Sequence, residues 1–456
     1  MPSITRQYLD RFRRLDPGDG APHLLPVTGA QRRFLLVRSL DRAGRPDLVP
    51  MFFAFPPGTV DPVRLRAAAN RLAALHPVLR GRPTVLRGTP ALALAAPDVP
   101  VTRVDRAPGE SAAAALRRAL AAWAPDGPPL RLYVTYEEAD APGGAREIVA
   151  VVLDHAACDG QSLARLVAEL SDAYAAGAGE VSGDSAAELA AYRAAVLGQL
   201  DAEDRATSPS ALAYWGERLR PVRECAPLPR TGPAAPGALP GGAAEARLPA
   251  GPDGVPFPDL LDACRAAAGA LYGPDRIVPL GYPWGGRPPG AAPVLGCFLN
   301  TVVFPAGTGD ALAPGPGPGS APGSGHAAAS TADGWWDDLD HADTPFDAVV
   351  HAARAAGSGW TGRLDGLLTV DDERRRPPLV LGGVPGTEIQ IDGRPVRGPF
   401  AVAVTQGSEL RLRMAWDRAI LTDEAAERGF AALAGAVRAA AAASAGAGAS
   451  AGARVV

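Results

Sequence analysis

The hydrophobic pattern changes period several times along the chain, and each change predicts an element. Asp61 followed by Pro62 reads as an N-cap and a first helical position, and apolar residues then recur at helical spacing up to Leu79. Glu147 to Leu153 is a short β-branched run with no helical period, which predicts a buried strand. It runs directly into Asp154–Gly160, after which Leu163, Leu166, Val167, Leu170 and Tyr174 define an amphipathic helix ending near Gly177. Gly177 to Ser185 is polar and rich in Gly, Ala and Ser, a candidate hinge. One or two helices follow through Leu219, and a second mixed region spans about Phe257 to Val437. Within it, Ala306 to Ser330 is almost entirely Gly, Pro, Ala and Ser, the composition of a flexible surface insertion. The pattern predicts a mixed α/β fold with an N-terminal lobe over 1–180, a C-terminal lobe over 181–437 and a disordered Ala/Gly-rich tail over 438–456.

Composition narrows the function classes. The chain has 456 residues, 47% hydrophobic and 21% charged, too apolar for a disordered chain and too long for one ordinary core. Every basic residue is Arg, and the net charge of −4 offers no surplus for nucleic acid. No long apolar run with large side chains predicts a membrane span, and Met1–Arg14 lacks the apolar stretch of a secretory signal. Cys158, Cys225, Cys264 and Cys297 are scattered with no CxxC pair, which reads as buried thiols in a reducing cytoplasm.

One segment carries candidate chemistry: Leu153-Asp154-His155-Ala156-Ala157-Cys158-Asp159-Gly160-Gln161-Ser162. A strand holds the imidazole of His155, whose proton affinity suits transfer near neutral pH, and the following helix start offers free N–H groups to a developing oxyanion. The plainer alternative is a satisfied core histidine beside a helix-capping aspartate. Cys158 as nucleophile has no second histidine at an interpretable spacing, and His155 with Asp159 lacks further metal ligands. Gly285-Gly286 and Gly382-Gly383 are not followed by the residues of a phosphate loop.

Around His155 the chain resembles the condensation domains of nonribosomal peptide synthetases, within the chloramphenicol-acetyltransferase-like acyltransferase superfamily. Their central HHxxxDG is matched at His155, Asp159 and Gly160, with Asp154 in place of the first His. Thr28-Gly29-Ala30-Gln31-Arg32-Arg33-Phe34 is similar to the first motif of the family, and Leu75-His76-Pro77-Val78-Leu79-Arg80 to the second. Tyr214-Trp215-Gly216-Glu217-Arg218-Leu219, Leu295-Gly296-Cys297-Phe298-Leu299-Asn300-Thr301 and His341-Ala342-Asp343-Thr344-Pro345-Phe346 follow in order, with Gly285-Gly286-Arg287 where the family has Gly-Arg. Two features depart from the pattern. Asp154, Asp159 and Ser162 together form the DxxxxDxxS of heterocyclisation domains, and the last family motif is not found near Leu368 to Pro378.

The resemblance implies two chloramphenicol-acetyltransferase-like lobes in a V with a substrate tunnel between them. It implies His155 as general base and the backbone at Gly160 as oxyanion donor. Asp159 and Arg287 become a structural pair, Asp154 a structural residue at the strand end, and Asn300 and Ser162 tunnel residues. His76 and His341 take architectural places. It further implies acyl or aminoacyl transfer in specialised-metabolite biosynthesis, from an acyl or peptidyl carrier protein to a small-molecule amine or alcohol, forming an amide or ester. No bound cofactor is implied; phosphopantetheine enters as the donor's arm. With no adenylation signature and no carrier-protein serine motif, the chain is expected to be a free-standing, cytoplasmic monomer that meets its carrier in trans, with no nucleic-acid or membrane partner. The alternatives are a coenzyme A donor, heterocyclisation, and a non-catalytic module that recruits another enzyme to a carrier.

Overall fold

The computed structural model describes residues 2–15, 24–40, 47–138, 144–177, 183–223, 238–249, 254–307, 330–394 and 396–452. The chain is mixed α/β and divides into two compact units that interleave along the sequence. The first comprises Met1–Arg205, Gly285–Asn300 and Arg376–Ile391; the second comprises Ala206–Trp284, Thr301–Arg375 and Asp392–Val456.

In the first unit, α1 (Ile4–Arg13), α2 (Gly29–Leu40), α3 (Pro62–Leu75), α4 (Ala112–Ala121), α5 (Gly160–Ala176) and α6 (Ser185–Ala206) accompany a five-stranded sheet. Its strands are β2 (Leu48–Phe55), β5 (Val101–Arg103), β6 (Leu130–Glu137), β7 (Arg146–Asp154) and a short return strand, Thr387–Ile389. A smaller sheet pairs β1 (Leu24–Leu25), β4 (Thr89–Leu94) and β3 (Gly81–Leu86). β7 lies between β2 and β6, antiparallel to both, so Ile148–Leu153 are buried on both faces. That position explains the unbroken β-branched run: a central strand covered on each side has no polar face to alternate with.

Helix limits follow from capping. The Asp61 carboxylate accepts from Val63 N at 2.9 Å and Arg64 N at 3.1 Å, starting α3. α3 stops at Leu75 rather than continuing to Leu79, because Pro77 disfavours helical backbone at His76; Pro77–Leu79 form a separate single turn. α5 ends where Gly177 takes φ +62°. The proposed hinge falls largely on residues 178–182, outside the described residues.

The first compact unit runs on to Arg205 and takes in two later segments. α6 buries Tyr192, Val196 and Leu200 in the first core, and the two returning segments add Val294, Leu295, Phe298, Leu379 and Leu381 to it. Shared apolar burial, not chain continuity, sets the division.

The second unit is built on a six-stranded sheet in the order Leu299–Ala306, Val278–Gly285, Gly366–Asp372, Phe400–Gln406, Glu409–Asp417, Gly241–Pro249. Its core includes Trp215, Trp360 and Trp416. The expected insertion lies almost wholly at 308–329, outside the described residues; Ala306 belongs to a strand and Ser330 caps the helix Thr331–Asp340. The last helix, Asp423–Gly452, runs on through most of the segment expected to be a disordered tail, as alanine's high helix propensity allows. Among the described residues no helix is long and apolar enough to cross a membrane.

Two buried charge clusters brace the units. In the first, His76 lies fully buried between Glu169 and Glu188, with Nδ1 3.0 Å from the Glu188 carboxylate. Burial works against the charge on Glu169, but the hydrogen bonds from His76 and Arg165 outweigh it and hold its carboxyl below the ordinary value of 4.5. In the second, Asp338 accepts from Tyr214 OH at 2.7 Å and from Arg218 at 2.9 and 3.0 Å. Burial there raises the Asp338 carboxyl despite its arginine.

A depressed carboxyl contributes stability above its unfolded value that is lost as pH falls through its folded one. Glu169→Gln should therefore melt below wild type at neutral pH. The gap should close as pH falls below about 4.5, checked by thermal melts over a pH series.

Candidate active site

β7 delivers Asp154 and His155 to the end of the central strand. Asp154 N donates to Pro129 O at 2.8 Å and His155 N to Asp47 O at 2.9 Å, so the chain leaves the sheet in a fixed direction. The Asp154 carboxylate caps the single turn His155–Ala157, with Oδ1 accepting from Ala156 N at 3.0 Å. Its other oxygen forms an ion pair with the Arg38 guanidinium. This is local work: a short acidic side chain at a strand end satisfies a backbone donor that the turn would leave open.

His155 is half-buried, and its ring stacks on Phe34 with centroids 4.3 Å apart and planes 23° apart. Its Nδ1 is buried and has no hydrogen-bond partner among the described residues. Among the described residues no carboxylate orients the imidazole there in the manner of a Ser-His-Asp arrangement.

Asp159 is committed elsewhere. It caps α5 with Oδ1, which accepts from Ser162 N and Ser162 Oγ, each at 2.9 Å. Oδ2 accepts from Arg287 Nη1 at 2.6 Å and from Phe298 N at 3.1 Å. The Asp159 side chain is 0% exposed and that of Arg287 9%. Arg287 also donates from Nε and Nη2 to Val294 O, at 3.0 and 2.7 Å, and lies over the Phe298 ring. Gly286 suits this turn: its φ of +156° is a backbone conformation that other residues rarely adopt.

The structure brings Asp154, His155, Asp159, Gly160, Ser162 and Arg287 together, with the Ser162 side chain buried in the cap of α5. Ser162 is 3% exposed, and its hydroxyl faces Asp159, Gly296 O at 2.8 Å, Gly296 N at 3.0 Å and Arg287 Nη2 at 2.8 Å. As the third residue of a capped helix it points back into the cap. Asn300 is half-buried in the strand Leu299–Ala306. Gly160, first in α5, is exposed, and a Cβ there would meet nothing within 4 Å. Internal packing does not demand glycine at that position, so the open space beside the backbone is available to a bound molecule.

Cys158 and Cys297 are fully buried, and burial pushes both thiols well above the ordinary range, so neither is a ready nucleophile. Among the described residues no three His, Cys, Asp or Glu side chains cluster as metal ligands. His341 stacks near Tyr214 at 4.3 Å, and its carbonyl accepts from Trp215 Nε1 at 3.0 Å, an architectural place within the second unit. Cys225 lies outside the described residues.

The sequence reading placed Thr28, Gln31 and Phe34 in a motif without giving them a role, and passed over Arg38. Thr28 Oγ1 donates to Cys297 O at 2.8 Å, Gln31 Nε2 donates to Ala156 O at 2.9 Å, and Phe34 and Arg38 contact His155 and Asp154. The available signal was helical spacing: 31, 34 and 38 fall on one face.

Known structures share this fold. No family model and no curated protein sequence matches the chain. Solved structures do. The X-domain from teicoplanin biosynthesis aligns with TM-score 0.64 at 17% identity, over 93% of this chain and 96% of that one. The first condensation domain of the calcium-dependent antibiotic synthetase aligns with TM-score 0.64 at 18% identity, over 92% and 97%. The condensation domain of the monacolin K polyketide synthase aligns with TM-score 0.62 at 15% identity, over 93% and 98%. The chain has the chloramphenicol-acetyltransferase-like fold of condensation domains.

Asp159 and Arg287 form one buried pair, so removing either strands the other. Asp159→Asn and Arg287→Gln should each lower unfolding free energy by about 3–5 kcal/mol. The double variant should lose clearly less than the sum, since one interaction is lost once. Denaturant melts of the four proteins check this.

Proposed function

We propose that the protein is a condensation enzyme that transfers an acyl or aminoacyl group from a carrier-protein thioester to an amine or hydroxyl, forming an amide or ester. The observation that carries this reading is the placement of the His155 imidazole, whose Nδ1 has no hydrogen-bond partner among the described residues. It stands at the end of β7, between two aspartates already saturated by arginines and backbone donors, and five residues before an exposed helix-start glycine.

In this reading the acceptor N–H or O–H lies against His155, which takes its proton as nitrogen or oxygen attacks the thioester carbonyl. The carbonyl oxygen gains charge and is met by backbone N–H groups at the start of α5, which Gly160 leaves uncovered. Collapse of the tetrahedral intermediate breaks the C–S bond, and the proton held on His155 returns to the leaving thiolate. Base assistance of this kind supplies about 10²–10⁴-fold, with further gain from holding the two substrates in line. Phosphopantetheine on the carrier is a substrate arm, and the protein works in the cytoplasm without a bound cofactor.

Heterocyclisation through Asp154 is the weaker reading. That carboxylate is engaged by Arg38 and Ala156 N, and a base must be free to accept a proton. A recruiting role is supported by one solved relative, an X-domain whose structure was determined in complex with OxyB from teicoplanin biosynthesis.

Purified protein incubated with acyl- and aminoacyl-loaded carrier proteins, matching acyl-coenzyme A controls, and a panel of amines and alcohols should give a new product by mass spectrometry. Its mass should be the acyl thioester plus acceptor less the free thiol, with no further loss of water. His155→Ala should lower turnover by about 10²–10⁴-fold with an unchanged melting temperature. Equal turnover in wild type and variant would remove His155 from the chemistry. Retained capture of a partner enzyme without turnover would favour recruitment.

A further inference from the structure

Three residues of α2 touch three successive residues of the turn. Arg38 pairs with Asp154, Phe34 stacks on His155, and Gln31 Nε2 donates to Ala156 O. The spacing 31, 34, 38 is i, i+3, i+7, a single stripe along the helix, and it meets the turn in reverse order. The start of α2 is held firmly. Gln31 Oε1 accepts from Thr28 N at 3.0 Å while Thr28 Oγ1 accepts from Gln31 N at 3.2 Å, a reciprocal cap. The carboxylate of Glu203, from α6, accepts from Gly29 N at 3.0 Å and from Arg32 Nη2 at 3.3 Å.

Within this stripe the charges are unequal in their exposure. The Asp154 side chain is 7% exposed, whereas that of Arg38 is 14% exposed on a long stem. Without Arg38, the carboxylate keeps one backbone donor and a charge that must reach water, next in sequence to an imidazole with no hydrogen bond of its own at Nδ1. Without the Asp154 charge, Arg38 can turn its head outward to solvent.

We propose that Arg38 is a positioning residue that acts through Asp154 on His155: it neutralises the aspartate, holds the turn against α2, and so keeps the His155 ring on the face of Phe34. The role assigned to His155 rests on the acyl-transfer reading above; the positioning itself does not.

The test uses the full chain labelled with ¹³C at histidine ring carbons, with His155 assigned among the six histidines by loss of its signal in His155→Asn. Stacking on Phe34 displaces the His155 ring protons upfield, and Phe34→Leu should abolish that displacement. Arg38→Gln should reduce it, whereas Asp154→Asn should leave it near wild type. Arg38→Gln combined with Asp154→Asn should restore it, and Arg38→Lys should retain it.

With the donor and acceptor found in the product screen, Arg38→Gln should lower kcat by about 10–100-fold with KM little changed, as misplacement of a catalytic group does. The double variant should return towards the Asp154→Asn value. Wild-type histidine shifts in Arg38→Gln, or a double variant no better than Arg38→Gln alone, would overturn the proposal. If Arg38→Gln fails to fold, the double variant and Arg38→Lys decide: restored stacking in both supports the pairing, and displaced stacking in either refutes it. If wild type transfers no acyl group, the functional reading fails, while the histidine spectra still decide the role of Arg38.

Discussion

Four donors converge on the buried carboxylate of Asp159, and the geometry of the site depends on that convergence. Ser162 N and Oγ, Arg287 Nη1 and Phe298 N arrive from α5, from the Gly285–Arg287 approach and from the segment leading to Asn300. One side chain therefore caps a helix and ties two distant stretches of chain to its first turn. A carboxylate taken fully out of water tolerates burial only when its lone pairs are met this completely. Gly286 suits the approach through its φ of +156°, a backbone conformation that other residues rarely adopt.

The same logic recurs at Asp154 and leaves a chemical asymmetry. Each aspartate flanking the turn has an arginine and at least one backbone N–H, so each is fixed and occupied. Between them His155 is held by stacking and by its backbone, with no hydrogen bond at Nδ1 among the described residues. Side chains close in sequence thus end in different surroundings: two are tied into ion pairs and caps, and the third is held by ring stacking. Asp154 illustrates how a departure from a family pattern is absorbed, since the added negative charge has a matching arginine on the neighbouring helix.

The low identity to solved condensation domains is compatible with a shared fold, and in this chain a few buried polar contacts fix local geometry. In the first unit they run through Asp159, Arg287, Thr28 and Gln31; in the second, through Asp338 with Tyr214 and Arg218, and through Trp215 on the His341 carbonyl. Elsewhere the requirement is only apolar volume at core positions, which many side chains meet.

Local signals in the sequence determined the elements around the site. The β-branched run made β7 a buried strand, Asp61-Pro62 opened α3, and Gly177 closed α5, because capping and burial periodicity act over a few residues. The resemblance at His155, Asp159, Gly160 and Arg287 named the residues that meet. Only the tertiary structure decided what those residues do to one another. It turned Ser162 inward to its own cap, drew α6 and two later segments into the first unit, and set Gln31, Phe34 and Arg38 against the turn. Those outcomes depend on contacts between residues a hundred or more positions apart, and such contacts are selected by the burial of shared apolar surface, which no local window of sequence contains.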